Sequence, residues 1–285
     1  MTRTLKPLPN TSQTEKPIES KFEKLHSLGE GALIAYLTGG DPDRKSFLDN
    51  ATALVDGGAD ILEVGIPFSD PIADGRVIQA SSQRALLAGA TPQGILELIK
   101  EFSSTRDVPV VVLTYYNIVL AGGLDRFLET SQKSGVSGLV VPDLPVEESD
   151  RFREASSEHS VDTIFLAAPN TSETRMKQVI DKSHGFVYLV SLFGVTGPRK
   201  VLNPTALSSV KRVKTLAKGK IPIAAGFGIS KPEHVSELIA AGADGAIVGS
   251  ALVEIVAQNL GNREDARLRL KNVASELKKA TKPNR

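Results

Sequence analysis

Eight short apolar runs rich in β-branched residues, the amphipathic segments between them, and about 250 residues without an internal linker predict an α/β protein: a single-domain TIM (β/α)8 barrel with extra helices. In chain order the runs are "ALIAYLT" (32–38), "ILEVGI" (61–66), "VPVVVLTYY" (108–116), "GLVVPDL" (138–144), "TIFLAA" (163–168), "FVYLVSL" (186–192), "IPIAAGFG" (221–228) and "GAIVGS" (245–250). They are apolar almost throughout rather than alternating, as parallel strands packed on both faces must be. Helical patterns such as "KSFLDNATALVDGGA", "DRFLETSQKSG", "ESDRFREASSEH", "SETRMKQVIDKS" and "PEHVSELIAAG" fill the gaps. The "GGA" and "AGA" stops before the second and eighth runs supply the glycine that a helix end needs. Between the second and third runs two helical patterns split at "GATP", which predicts an extra helix inside one βα unit. An open doubly wound sheet is the competing arrangement, because strand count does not establish closure.

Residues 1–19, "MTRTLKPLPNTSQTEKPIE", read as a flexible tail ahead of a barrel domain at 20–285. The tail has no apolar core of the kind a secretory signal requires, and two Glu with few Arg argue against a transit peptide. With 34 basic and 33 acidic residues the net charge is +1, so no global field attracts nucleic acid or an anionic membrane, and any anion must be held locally. The absence of cysteine agrees with a reducing, cytoplasmic setting. His26, His159, His184 and His234 are scattered without ligand spacing, so no metal is expected.

In such a barrel the chemistry sits where strands end and loops begin, which directs attention to Glu63, Asp74, Tyr115, Asp143, Tyr188 and the glycines of "GFG" and "VGS". "AGFGISKPEHV" leaves the seventh run through Gly226 and Gly228 and opens a helix at Ser230, with Glu233 completing a capping box; "IVGSALV" repeats the pattern after the eighth. Bare glycines before helix N-termini allow backbone N–H groups to approach a phosphate, and two such loops on adjacent strands favour that reading over simple tight turns. The loop after the sixth run adds Gly194, Thr196, Gly197, Arg199 and Lys200. Period-two alternation puts Ile61, Glu63 and Gly65 on the face opposite Leu62, Val64 and Ile66, so Glu63 points into the barrel near its mouth, where desolvation raises a carboxyl pKa toward a value useful for proton transfer. A buried glutamate satisfied by a neighbouring donor is the plainer alternative. Asp70 precedes Pro71 and reads as a turn residue; Asp74 in "ADG" fits a turn or a site equally well.

The string "EVGIPFSDPIADG", with "YLTGGDPD", "TYYN", "VVPDLPVEES", "FLAAPNT", "YLVSLFGVTG", "GFGISKPEHV" and "GADGAIVGSALV" in the same order, resembles the tryptophan synthase alpha chain family across residues 25–270 or so. The resemblance implies a lyase that cleaves indole-3-glycerol phosphate into indole and glyceraldehyde 3-phosphate. It implies Glu63 as the proton-transferring residue and Asp74 as the partner of the indole N–H. It further implies Tyr115, Tyr188 and Phe227 around the indole, Gly197, Gly228, Gly249 and Ser250 at the phosphate, and Thr196 in a lid that on closure meets the acid loop, the "PFSDPIADG" segment that carries Asp74. No cofactor is implied for this chain; a PLP-dependent beta chain is the implied partner in an α2β2 complex. Arg76 stands where many members have Pro, Leu192 and Phe193 make the lid more apolar than is usual, and the tail is longer. A stand-alone indole-releasing lyase and a non-catalytic activator of a beta chain remain the alternatives.

Overall fold

The computed structural model describes residues 16–190, 202 and 204–282. Its strands are β1 (Ala32–Thr38), β2 (Ile61–Gly65), β3 (Val110–Leu113), β4 (Val136–Val140), β5 (Asp162–Ile164), β6 (Leu166–Ala167), β7 (Val187–Val190), β8 (Ile223–Gly226) and β9 (Gly245–Val248). They form one parallel sheet in the order β5-β4-β3-β2-β1-β9-β8-β7-β6. The expected fifth run is two strands rather than one. Its first half pairs with β4, Leu139 opposite Thr163, and its second with β7, Leu166 opposite Tyr188. The break falls at Phe165, whose carbonyl accepts from Tyr188 N–H at 3.1 Å. One run thus serves both neighbours, and the sheet curls into a nearly closed TIM barrel of eight βα units. Shared in this way, a run must shift its backbone pairing at the changeover, which is why nine strands stand where eight were expected.

The alternation within each strand separates two apolar layers. Leu62, Val64 and Ile66 face the helices together with Leu33, Ala35 and Leu37 of β1, whereas Ile34 and Ile61 face the barrel axis. Both layers are dry, so the runs read as continuous apolar stretches. Between β2 and β3 the two predicted helices are present, Arg76–Leu87 and Pro92–Ser103, the second capped by Thr91, whose hydroxyl accepts from Gly94 N–H at 3.1 Å.

The expected boundary after residue 19 falls inside a helix, Pro17–Ser27. Pro17 suits a first helical turn, and Ile18, Phe22 and Leu25 close the N-terminal end of the barrel against Ile34, Ile61, Val111 and Phe186. Ile18 is fully buried, so residues 17–19 belong to the domain. The helix after β8 also starts later than expected: it spans Pro232–Ala240 with Lys231 at the cap, so the box from Ser230 to Glu233 does not form. Proline prefers the first helical position, which makes residue 231 the cap. Among the described residues no helix is long and apolar enough to cross a membrane.

Candidate active site

At the C-terminal end of the strands lies a cavity open to solvent, where barrel folds place ligand sites. Glu63 and Asp74 line it with Tyr36, Tyr188, Gly228, Gly249, Ser250 and an aliphatic wall of Ile78, Leu113, Leu166 and Ile247. Glu63 reaches it because β2 presents residues 61, 63 and 65 to the axis, and its register partner on β1 is Tyr36. Gly65 is required here: a Cβ at that position would collide with the Tyr36 hydroxyl. Gly226 does the same for Tyr188, whose ring an added Cβ would meet at 3.1 Å.

Glu63 is 1% exposed, and neither of its oxygens has a hydrogen-bond partner among the described residues. The Tyr188 hydroxyl is near enough to favour the carboxylate weakly but does not form a bond with it. Burial, reinforced by the negative charge of Asp74, raises the Glu63 pKa to about 8. The plainer expectation of a glutamate satisfied by a neighbouring donor therefore does not describe it. Asp74 follows the rigid "PFSDP" segment, one residue before Gly75 caps the helix Arg76–Leu87. Burial raises its pKa to about 6, while a hydrogen bond from the Tyr115 hydroxyl to Oδ2, at 3.1 Å, opposes the rise. Near neutral pH the cavity thus holds one protonated and one ionised carboxyl, an arrangement able to donate a proton and stabilise a positive charge in the same step.

Three nearby acids serve elsewhere. Asp60 accepts from Leu33 N–H at 2.8 Å and pairs with Lys278 at 2.9 Å, tying the C-terminal helix to the barrel's N-terminal end. Asp70 is exposed and accepts from Ser69. Asp143 accepts from Tyr116 N–H at 2.9 Å, at the start of the helix Tyr116–Ala121.

Tyr115 stands behind Asp74 rather than in the cavity wall: its oxygen also accepts from Ala73 N–H at 3.1 Å, and its ring stacks on Phe68 with centroids 4.9 Å apart. Burial, then the nearby Asp74 charge, pushes its pKa up. Phe227 does not line the cavity. Alternation turns Gly226 and Gly228 inward and sends Phe227 into the layer between strands and helices. Gly228 takes a left-handed φ of +71°, and Gly249 caps the helix Ser250–Gln258, whose first two N–H groups, of Ser250 and Ala251, have no intrahelical acceptor. Together with Ser250 they give the cavity an anion-accepting side. Thr196, Gly197, Leu192, Phe193, Arg199 and Lys200 lie outside the described residues. Tyr36 was not singled out from the sequence, although its inward position in β1, in step with Glu63, was there to be read. Among the described residues no group of three or more His, Asp and Glu is placed to hold a metal ion.

The family model described as "Tryptophan synthase alpha chain" matches residues 22–282. The chain is 46% identical over 263 residues to the tryptophan synthase alpha chain of Methanoregula boonei, covering 92% of this chain and 97% of that one. It is 45% identical to the one from Methanopyrus kandleri, covering 91% and 93%. Among solved structures it is similar to the tryptophan synthase α2β2 complex of Pyrococcus furiosus, with TM-score 0.81, 45% identity and 87% and 98% coverage. Mycobacterium tuberculosis tryptophan synthase gives TM-score 0.84 at 36% identity, covering 94% and 98%. With a barrel of this form, a two-carboxyl cavity and matches over most of its length, the chain belongs to the tryptophan synthase alpha chain family.

Proposed function

We propose that this chain is the alpha subunit lyase that cleaves indole-3-glycerol phosphate into indole and glyceraldehyde 3-phosphate. The observation that carries the reading is the pair of carboxyls in one cavity, Glu63 raised to about 8 and Asp74 to about 6. Breaking the C3–C3′ bond requires a proton at indole C3, stabilisation of the ring as it becomes cationic, and loss of the side-chain hydroxyl proton. Glu63, protonated at neutral pH, gives its proton to C3 and then takes the hydroxyl proton, ending the cycle as it began. Asp74, ionised and held by Tyr115, accepts from the indole N–H. Tyr188 and the aliphatic wall pack on the indole. Gly228, Gly249 and Ser250 hold the phosphate; a share in that for Gly197, and a part for Thr196 in excluding water, are what the family resemblance implies.

This chemistry needs only side chains, and we assign this chain no cofactor. The assembly named for the Pyrococcus furiosus relative supports a beta chain as partner in an α2β2 heterotetramer, and the PLP in that partner is what the family resemblance implies. Ile72, 82% exposed in the acid loop, offers an apolar contact for it. We place the protein in the cytoplasm. The test is indole release from indole-3-glycerol phosphate by the purified chain, with and without a beta chain. Slow release alone and faster release in the mixture is the expected result; equal release in both supports a stand-alone lyase, and none in either refutes the assignment.

A further inference from the structure

Behind the cavity wall three buried hydroxyls form a chain that ends on a carbonyl. Ser81 Oγ lies 2.8 Å from the Ile78 carbonyl oxygen, Thr38 Oγ1 lies 2.6 Å from Ser81 Oγ, and the Tyr36 hydroxyl lies 3.3 Å from Thr38 Oγ1. Each hydroxyl has one proton, and a carbonyl has none. The contact with Ile78 therefore takes the Ser81 proton, since without it two sets of lone pairs would oppose each other at 2.8 Å. With that proton committed, the hydrogen between Thr38 and Ser81 is Thr38's. The hydrogen between Tyr36 and Thr38 is then Tyr36's.

Tyr36 stands beside Glu63 on the neighbouring strand, and both line the cavity with Asp74 and Tyr188. Tyr115 approaches from the β3 side, but its proton is given to Asp74. No Lys, Arg or His is among the described residues lining the cavity. We propose that Thr38 and Ser81 are positioning residues that turn the Tyr36 proton away from the cavity, so that Tyr36 presents only lone pairs to Glu63 and Asp74 and helps the pair retain a proton. A hydroxyl that donates favours a carboxylate, whereas one that can only accept favours the acid. The inference deepens the lyase reading, and its kinetic consequence rests on that reading.

The test is direct titration of the two carboxyls by carbon NMR in wild type, Thr38→Val, Ser81→Ala, Thr38→Ser and the double variant Tyr36→Phe/Thr38→Val. Cooperative thermal unfolding establishes that each is folded. Thr38→Val frees the Tyr36 proton to turn toward the carboxyls, and the Glu63 midpoint falls from about 8 by about one unit. Ser81→Ala lets Thr38 donate to Tyr36 and produces a fall of the same sign, which keeps the test available if the valine variant does not fold. Thr38→Ser titrates as wild type, and the double variant abolishes the fall. Unmoved midpoints in folded Thr38→Val or Ser81→Ala overturn the proposal, as does a fall that persists without the Tyr36 hydroxyl. In Thr38→Val the alkaline limb of indole release moves with the Glu63 midpoint. A moved midpoint with an unmoved limb supports the hydroxyl chain and counts against Glu63 as the proton donor, so the two readings fail separately.

Discussion

The two ends of the barrel interior stand on the same strands and differ by one period of the pleat. At the N-terminal end Ile34, Ile61, Phe186 and Ala224 pack against Ile18, Phe22 and Leu25. Two residues further along stand Tyr36, Glu63, Tyr188 and Gly226, all in the cavity wall. An advance of roughly 6–7 Å along each strand exchanges a dry plug for a proton-transfer site. Stability and chemistry are thus segregated along the barrel axis, and an acid costly in the first layer becomes useful in the second because Asp74, the tyrosines and an open mouth surround it.

If the segregation holds, substitutions at the two ends fail differently. Glu63→Gln should lower indole release by about 10²–10⁴-fold while the fold stays intact, as expected for loss of a general acid. Release at the wild-type rate would end its catalytic assignment. Ile18→Ala should cost about 2–5 kcal/mol in urea unfolding, yet leave release per folded molecule within about twofold. A larger fall in release without loss of stability would show that the two ends are coupled.

The pH dependence of stability sharpens the contrast. An unfolded chain releases the Glu63 proton near 4.5, but the folded protein keeps it to about 8. Between those values the folded state holds more protons, so stability should fall as pH rises, by up to about 1.4 kcal/mol per pH unit, and level off above them. Asp74 adds a slope of the same sign between 3.8 and about 6. Unfolding of Glu63→Gln across this range should lack the Glu63 share; an unchanged slope would place the raised pKa elsewhere. The smallest effect belongs to the support behind the site. Tyr115→Phe removes the hydrogen bond that opposes the rise of Asp74, so release should drop about tenfold and the acidic limb of its pH profile should move upward. An unmoved limb would reduce Tyr115 to packing.

Much of the fold and part of the site were legible in the chain. Glu63 could be assigned to the axis because β-strand alternation is local and the aliphatic residues on either side of it choose the outer layer. The same rule applied to "GFG" sends Phe227 outward, against the role that the family resemblance suggested. Asp74 was undecided between turn and site, since its local "ADG" context suits both. Only the return of the chain beneath Tyr115 separates the buried acid from the exposed one.

By itself the sequence determined the strand-forming runs, the inward face of the second and the family, because these follow from short-range periodicity and contiguous motifs. The tertiary structure alone decided that the fifth run divides at Phe165 between two neighbours and that Ile18 belongs to the core. It also decided that the Thr38 hydroxyl meets Ser81 behind the cavity wall. The meetings that decide these outcomes, Ile18 with Ile34, Leu166 with Tyr188 and Thr38 with Ser81, span 16 or more positions of chain, and no local preference encodes such a meeting until the cylinder closes.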